Sequence, residues 1–326
     1  MGADLADPKK KDFHYGGQAV IEGVMMRGPK DFAVAVRRAS GEIVTTREDV
    51  DSIIGRFKWL DRPFLRGTLA LIDAMALGIK ALKYSAEIAM QDATAPDGGS
   101  DADASEAAAP ARTSRVNDVA VGAMMVVGLA MGLALFMLVP IFVVKPIKVS
   151  FGLVGWQAAA LEGAVKIAIF VLYVVAISFM RDIRRVFQYH GAEHKTINAY
   201  EAHAELTVEN VRGFTKAHVR CGTSFILVVL ITSIVVFMFI SWKSILLRFV
   251  YKLALLPLVA GIAYEVIRLA GKRKDSWFAR LLVLPGLMMQ KITTREPEPE
   301  MIEVAIKSLQ SVLETESARE ADGAAA

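Results

Sequence analysis

The sequence predicts an α-helical polytopic membrane protein of about four transmembrane helices, with a small cytosolic β-containing unit at its N-terminal end. Three observations carry that prediction. Hydrophobic residues make up 54% of the 326 residues and charged residues 22%, against about 45–50% and about 25% in an average globular chain. Mean hydropathy is +0.41. The excess is clustered: Val119–Val144 is 26 residues without a charge, and Gly222–Trp242 is a second uncharged run of 21. Both reach the ~20 residues that a helix needs to cross the hydrocarbon of a bilayer. The first sixty residues instead carry short apolar stretches punctuated by glycine, which is the pattern of strands and turns. The same composition excludes a disordered chain, a collagen and a disulfide-stapled module, because the single cysteine, Cys221, has no second thiol to join.

Two weaker spans complete the four. Gln157–Met180 contains Glu162 and Lys166, one helical turn apart and able to pair near one membrane face. Ile245–Ala270 contains Arg248 and Lys252 near its start, and Glu265 and Arg268 near its end. The polar first 15 residues, with Lys9, Lys10 and Lys11, predict no signal peptide. Lysine and arginine crowd the 181–220 loop and the segment after residue 271, whereas 145–156 and 243–244 carry few. The positive-inside rule therefore puts that loop and both termini in the cytosol. This bias accounts for the net charge of +4 without a nucleic-acid partner.

The organisation read along the chain is a cytosolic β-rich unit over 1–64, an amphipathic surface helix over 65–90, a disordered acidic tether over 91–115, and the membrane domain over 116–272. A cytosolic C-terminal helical segment over 273–316 and a disordered tail over 317–326 follow. In the first unit Ala19–Met26 reads as a strand, and Phe32–Val36 with Glu42–Thr46 reads as a hairpin about Ser40-Gly41. Leu69, Ile72, Ala76, Ile79 and Ile88 give the 65–90 segment an apolar stripe at helical spacing, suited to lying on the membrane surface, the preferred reading, or to packing on the first unit. The tether and tail lack the apolar surface needed to fold. Met301–Leu313 reads as a short terminal helix.

Four of the five histidines, His190, His194, His203 and His218, fall within 29 residues. Arg181–Thr196 reads as a helical continuation of the second span. His190 and His194 then stand at i and i+4 on one face, and Glu193 precedes the second histidine. His190-Gly191-Ala192-Glu193-His194 thus matches H-x-x-E-H, an inverted zinc-peptidase pattern. Two imidazoles one turn apart can hold one Zn²⁺, and a neighbouring carboxylate can accept a proton from water. The plain alternative is a polar helix face. His218 and Cys221 lie at i and i+3 just before the third span, so an antiparallel hairpin of spans two and three would bring both pairs to one membrane face. The candidate ligands are therefore His190, His194, His218 and Cys221, with Glu265 as a further carboxylate whose ordinary partner would be Arg268. Glu201, seven residues past His194, lies too far along a straight helix to join them. His203 reads as a surface residue. Cys221 could also act as a nucleophile beside His218, or be a small buried residue at a helix start.

Three separated motifs carry a family resemblance: Gly17-Gln18-Ala19-Val20-Ile21-Glu22-Gly23-Val24-Met25-Met26-Arg27, Tyr189-His190-Gly191-Ala192-Glu193-His194-Lys195 and Arg220-Cys221-Gly222-Thr223. With Leu284-Pro285-Gly286-Leu287 and Thr293-Thr294-Arg295-Glu296-Pro297, they make the chain resemble the YqhQ-like bacterial membrane proteins, domain-of-unknown-function family 1385, over about residues 13–312. The resemblance implies a metal-dependent enzyme of the bacterial cytoplasmic membrane without an assigned reaction. Where the family pattern is His-Pro-Arg-Cys-Gly-Thr, this chain has Val219 after His218; losing the proline frees the backbone there and leaves the candidate ligands intact. The resemblance also draws attention to Glu22, read on a strand with Gln18 and Arg27 as a polar trio. The trio is either part of a site or a structural Arg27–Glu22 pair, and in the first case this unit folds against the cytosolic ends of spans two and three.

Two functions follow. In the first, the protein is a membrane-bound hydrolase in which zinc held by His190, His194 and a third ligand from His218, Cys221 or Glu265 activates water, with Glu193 as the catalytic base. In the second, it is a non-catalytic accessory factor of membrane-protein assembly or quality control, and the same cluster is a buried hydrogen-bond network. The lipid bilayer is the expected partner in both; a membrane-protein complex or a homo-oligomer built on the apolar helix faces would extend it.

Overall fold

The computed structural model describes residues 15–51, 61–94, 123, 126–238, 245–272 and 276–325. These residues are mostly helical, with one four-stranded antiparallel sheet near the N-terminus. They form two compact units: one gathers residues from 1–93, 174–229 and 257–326, the other from 94–173 and 230–256.

In the first unit, β1 (Gly16–Val20), β2 (Gly23–Arg27), β3 (Asp31–Arg37) and β4 (Ile43–Asp49) pair in sequence order. Side chains on a strand alternate between faces, and here both faces are apolar. Val24, Met26, Ala33 and Ala35 point to one side, where they pack with Tyr189, Ala192, Ile197, Met301, Ile302, Val304, Ala305, Leu309 and Val312. Val20, Met25, Phe32, Val34 and Val36 point to the other, against Leu77 and Ala81. The register agrees, with Met26 opposite Ala33 and Met25 opposite Val34. The sheet is therefore clamped between α1 (Leu65–Thr94) on one face and α4 (Arg181–Glu201) with α10 (Pro299–Ala325) on the other. Each large side chain so buried contributes about 1.5–3 kcal/mol.

Several expectations are corrected here. The 19–26 run is not one strand: β1 and β2 are joined at Ile21-Glu22, and Glu22 adopts φ 50°. Glu22 therefore leaves the sheet at a tight turn, and its carbonyl accepts from Arg37 N at 2.9 Å. The N-terminal sheet is not a unit by itself, since its core is completed by residues near 190 and 305. α1 extends to Thr94 and buries Leu77, Ala81 and Ser85, while Ile72 and Ile79 of the expected stripe are exposed. Its closer partner is the sheet. The expected tail beyond residue 316 continues α10 through Ala325, because its alanines and glutamates favour helix. The tether at 91–115 lies outside the described residues from 95 onward.

Val126–Ser150 (α2, 25 residues) and Trp156–Ile177 (α3, 22 residues) are long and apolar enough to cross a membrane by length and composition. α2 contains a π-helical turn at Ala134–Leu138 and continues past Val144 through Lys145 and Lys148. Of the third apolar run, Gly222–Met238 form α6, 17 residues among those described, and 239–242 lie outside the described residues. The 245–270 run is divided into α7 (Ile245–Ala254) and α8 (Leu256–Lys272), and Pro257 sits in the first turn of α8, where a proline lacking its N–H is tolerated. α9 (Trp277–Thr293) precedes α10, and a short α5 (Val208–Arg212) follows α4.

Candidate metal centre

The helix expected to continue the second span is broken. α3 ends at Ile177, Met180 is extended (φ −68°, ψ 134°), and α4 begins afresh at Arg181. α4 does not continue α3 but packs on the sheet. α4 buries Tyr189 and every residue from Gly191 to Ile197, an unusual stretch for a segment carrying Glu193, His194 and Lys195. Each of those polar groups must find a partner or cost several kcal/mol.

The partners are specific. His190 Nδ1 lies 2.9 Å from the carbonyl oxygen of Thr293, and His194 Nδ1 lies 2.7 Å from that of Lys216. A carbonyl can only accept, so each Nδ1 carries a proton, and a ring in the neutral form then presents its Nε2 lone pair. The two rings stand edge to face, with centroids 4.4 Å apart. His190 Nε2 is 3.2 Å from Cys221 Sγ. One ligand atom from each of His190, His194 and Cys221 falls within 4.8 Å of the others. Burial, reinforced by His190, pushes the His194 pKa down to about 3 and keeps that ring neutral.

Cys221 is buried immediately before α6, and its sulfur is 3.2 Å from Thr223 Oγ1 and 3.5 Å from Thr223 N. Burial pushes the thiol pKa up, while the Thr223 and Ser224 donors work the other way. Glu193 is almost wholly buried, and its Oε2 has no hydrogen-bond partner. The backbone N–H of Gly17, on the edge strand β1, donates to its carboxylate. Burial first, then the Cys221 sulfur, pushes Glu193 up to about 7; His190 and the Gly17 N–H oppose that.

Not every candidate residue joins the group. His218 packs beside His194, centroids 5.4 Å apart, and its Nε2 faces Glu201 Oε2 at 4.0 Å. Glu201 ends α4 and also pairs with Arg220. Glu265 is engaged elsewhere: both carboxylate oxygens accept from Arg66, at 2.6 Å each, so its partner is Arg66 rather than Arg268. Glu22 likewise pairs with Arg185 of α4, at 2.6 and 2.5 Å, rather than with Arg27, and accepts from Tyr189 Oη at 3.3 Å. Gln18 packs its amide against Gly78 of α1. Arg27 closes β2 opposite Gly16 and Phe32. The polar trio is thus three separate contacts, of which only that of Glu22 reaches α4. His203 is exposed, with φ 54°.

The residues that sequence reasoning missed are those that hold the candidate ligands and the neighbouring His218. Gln290 clamps His218 by accepting from its N–H at 2.9 Å and donating to its carbonyl at 2.8 Å. A Cβ on Gly191 would collide with the carbonyl oxygen of Arg295, so only glycine lets the 293–297 segment press against α4 and deliver the Thr293 carbonyl. A Cβ on Gly17 would stand 2.5 Å from Met25 O and 3.0 Å from Glu193 Cγ. Lys195 ties the same segment down through Glu296 and donates to Arg212 O at 2.8 Å. The motif Tyr189–Lys195 therefore alternates between ligands and the residues that seat α4.

The profile of a family described as proteins of unknown function, DUF1385, matches residues 62–315. The chain is a DUF1385 protein. It is 36% identical over 311 residues to "Uncharacterized protein YqhQ" of Bacillus subtilis strain 168, covering 94% of each chain. No solved structure matches this DUF1385 protein.

Proposed function

We propose that this protein is a membrane-bound, metal-dependent hydrolase whose ligands are His190, His194 and Cys221 and whose proton acceptor is Glu193. The observation that carries the reading is the pairing of both Nδ1 atoms with backbone carbonyls, which turns the Nε2 atoms to ligation in a group whose His190 Nε2 lies 3.2 Å from the Cys221 sulfur and whose three ligand atoms fall within 4.8 Å of one another. Ligating histidines are commonly oriented in this way. Donor atoms around a tetrahedral zinc stand roughly 3.4–3.6 Å apart, given bonds of about 2.05 Å to nitrogen and 2.3 Å to sulfur. The His190–Cys221 separation of 3.2 Å is already of that order. Two nitrogens and a thiolate suit a borderline-soft ion, so the donor set fits zinc with one coordination position to spare.

Bound there, zinc would supply Lewis acidity for the attack of water on a carbonyl or phosphoryl centre. The chain's own part is separable. Both rings are fixed by their backbone carbonyls, and His194, its pKa pushed down by burial, stays neutral and does not compete for the proton. Glu193 receives it: one edge of its carboxylate is held by Gly17, and the other, Oε2, lacks a hydrogen-bond partner. An affinity for protons raised to about 7 lets it accept and release one near neutral pH.

The membrane part of the reading extends two candidate spans to about four, counting α6 and the α7–α8 pair, with both termini and the 181–220 loop cytosolic. The lysine and arginine distribution supports that orientation. The outward face of α1, with Ile72, Met75, Ile79 and Leu82 exposed, supports contact with the bilayer surface. Peptide bonds or lipid-linked esters presented at a membrane are the substrates such a site would meet.

The test is turnover by purified, zinc-loaded protein on panels of peptides, lipid esters and phosphoesters. Glu193→Gln should keep its zinc and lose hydrolysis. A zinc-bound protein inert on every panel, and recovered in a membrane-protein complex that survives Glu193→Gln, would select the accessory-factor reading instead.

A further inference from the structure

We propose that the substrate is an extended polypeptide, docked as an added strand on the outer edge of β1, where its backbone is carried to Glu193. The inference rests on the hydrolase reading for its chemistry, while the docking itself needs no metal. β1 is an edge strand, paired with β2 on one side. Val20 and Gly23 close the two-residue Ile21-Glu22 turn, which makes them a hydrogen-bonded pair. Bonded and non-bonded pairs alternate along an antiparallel ladder. Gln18 and Gly16 therefore also bond to β2, and Gly17 and Ala19 turn their N–H and C=O groups outward. Two observations fix that phase. Arg37 N donates to the Glu22 carbonyl, so Glu22, Val24 and Met26 bond to β3, and Gly23, Met25 and Arg27 are left for β1. The Gly17 N–H leaves the sheet for the Glu193 carboxylate.

Outward N–H and C=O groups on an edge strand are a template for another strand, and a polypeptide that takes them is held through its backbone. Ala19 offers a complete pair and Gly17 a carbonyl. Both residues are half-buried, and among the described residues no hydrogen bond reaches these three groups. At Gly17 the Glu193 carboxylate stands where an added strand would place a carbonyl. A peptide antiparallel to β1 thus exchanges two bonds with Ala19 and, two residues further on, meets Glu193 in place of a ladder donor. Hydrolysis there joins the oxygen of water to the amide carbonyl carbon and breaks the C–N bond. The proton that Glu193 takes from water passes to the leaving nitrogen. An acyl ester has no N–H to give the Ala19 carbonyl, so the edge favours a peptide over a lipid-linked ester.

The experiment uses the full-length protein in detergent and reads docking apart from cleavage. The probe is a fluorescein-labelled octapeptide of alternating valine and threonine, residues that favour extended backbone. Its binding is followed by anisotropy on protein stripped of metal by a chelator. A counterpart N-methylated at its four central residues keeps the side chains and loses the donors. It should bind roughly tenfold more weakly, the scale of one or two lost hydrogen bonds. Ala19→Pro removes an outward N–H, at a place where edge strands accept proline, and should weaken the octapeptide about tenfold with zinc content unchanged. Should Ala19→Pro fail to fold, the N-methylated peptide carries the test alone. Zinc-loaded wild type should cleave the octapeptide and spare its counterpart. Docking without cleavage would keep the docking and end the hydrolase reading. Hydrolysis of lipid esters without peptide docking would overturn the inference and keep that reading. Equal binding of the two peptides, or a folded Ala19→Pro protein that binds as the wild type does, would also overturn it.

Discussion

The histidine cluster of the first unit and the lysine–glutamate cluster of the second both bury polar groups, but they do so on opposite principles. In the first, each group is pinned by the backbone: Thr293 and Lys216 carbonyls fix two rings, and Gly17 holds Glu193. What remains available is lone pairs, which suit a cation. In the second, the groups are formal charges pinned by one another, with two ammonium groups on one carboxylate. The two sites thus differ in what holds their polar groups, backbone in the first and opposite charge in the second.

The largest effect expected from breaking this contrast is in the charged cluster. Glu162→Ala removes the carboxylate that pairs with Lys252 and lies 3.6 Å from Lys166, and removing one partner of a buried pair costs about 3–5 kcal/mol, readable by chemical denaturation in detergent. In the histidine cluster the corresponding change should spare the fold and cost the ligand. His190→Ala should weaken zinc binding at least about a hundredfold, measured by chelator competition, with little change in the apo unfolding midpoint. Gly191→Ala forces a methyl onto the Arg295 carbonyl and should destabilise the first unit by about 1–3 kcal/mol, the usual cost of overpacking. It should also lower zinc affinity, because the Thr293 carbonyl moves with that segment; a variant as stable as the wild type would remove the assigned role of the glycine.

Two smaller tests sharpen the comparison. Burial raises the Cys221 pKa, so the thiol holds its proton at neutral pH and must lose it to ligate. Zinc loading then releases that proton, and affinity should fall by about tenfold per unit as pH drops below the thiol's raised pKa, one proton being displaced per ion. A Cys221→Ser protein with the same pH slope would show that the thiol is not a ligand. Glu22→Gln weakens a half-exposed bidentate pair and should cost below about 1 kcal/mol. If it costs several, the β1–β2 turn holds α4 far more tightly than its exposure suggests.

What could be read from the sequence follows from the range over which each signal acts. The i, i+4 histidines are a local periodicity, so they were visible without a structure, and Cys221 came into view because it opens an apolar run. The supports of these residues were not, because Gly17 and Gln290 reach the site from distant chain segments and only packing brings them there. The Glu22 turn was misread because a glutamate at φ 50° replaces the usual asparagine or glycine signal. Glu265 was a reasonable carboxylate by position, but its fate depended on Arg66, 199 residues away. The break at Ser178–Met180 has no proline or glycine to announce it; it follows from α4 packing on a sheet that the local sequence does not contain.

Elemental analysis of purified wild-type protein beside His194→Ala tests the central claim most directly. The account predicts close to one zinc per wild-type chain and nearly none in the variant, with both proteins folded. A wild type without stoichiometric metal after growth and purification in zinc, or a variant that retains it, would contradict the claim.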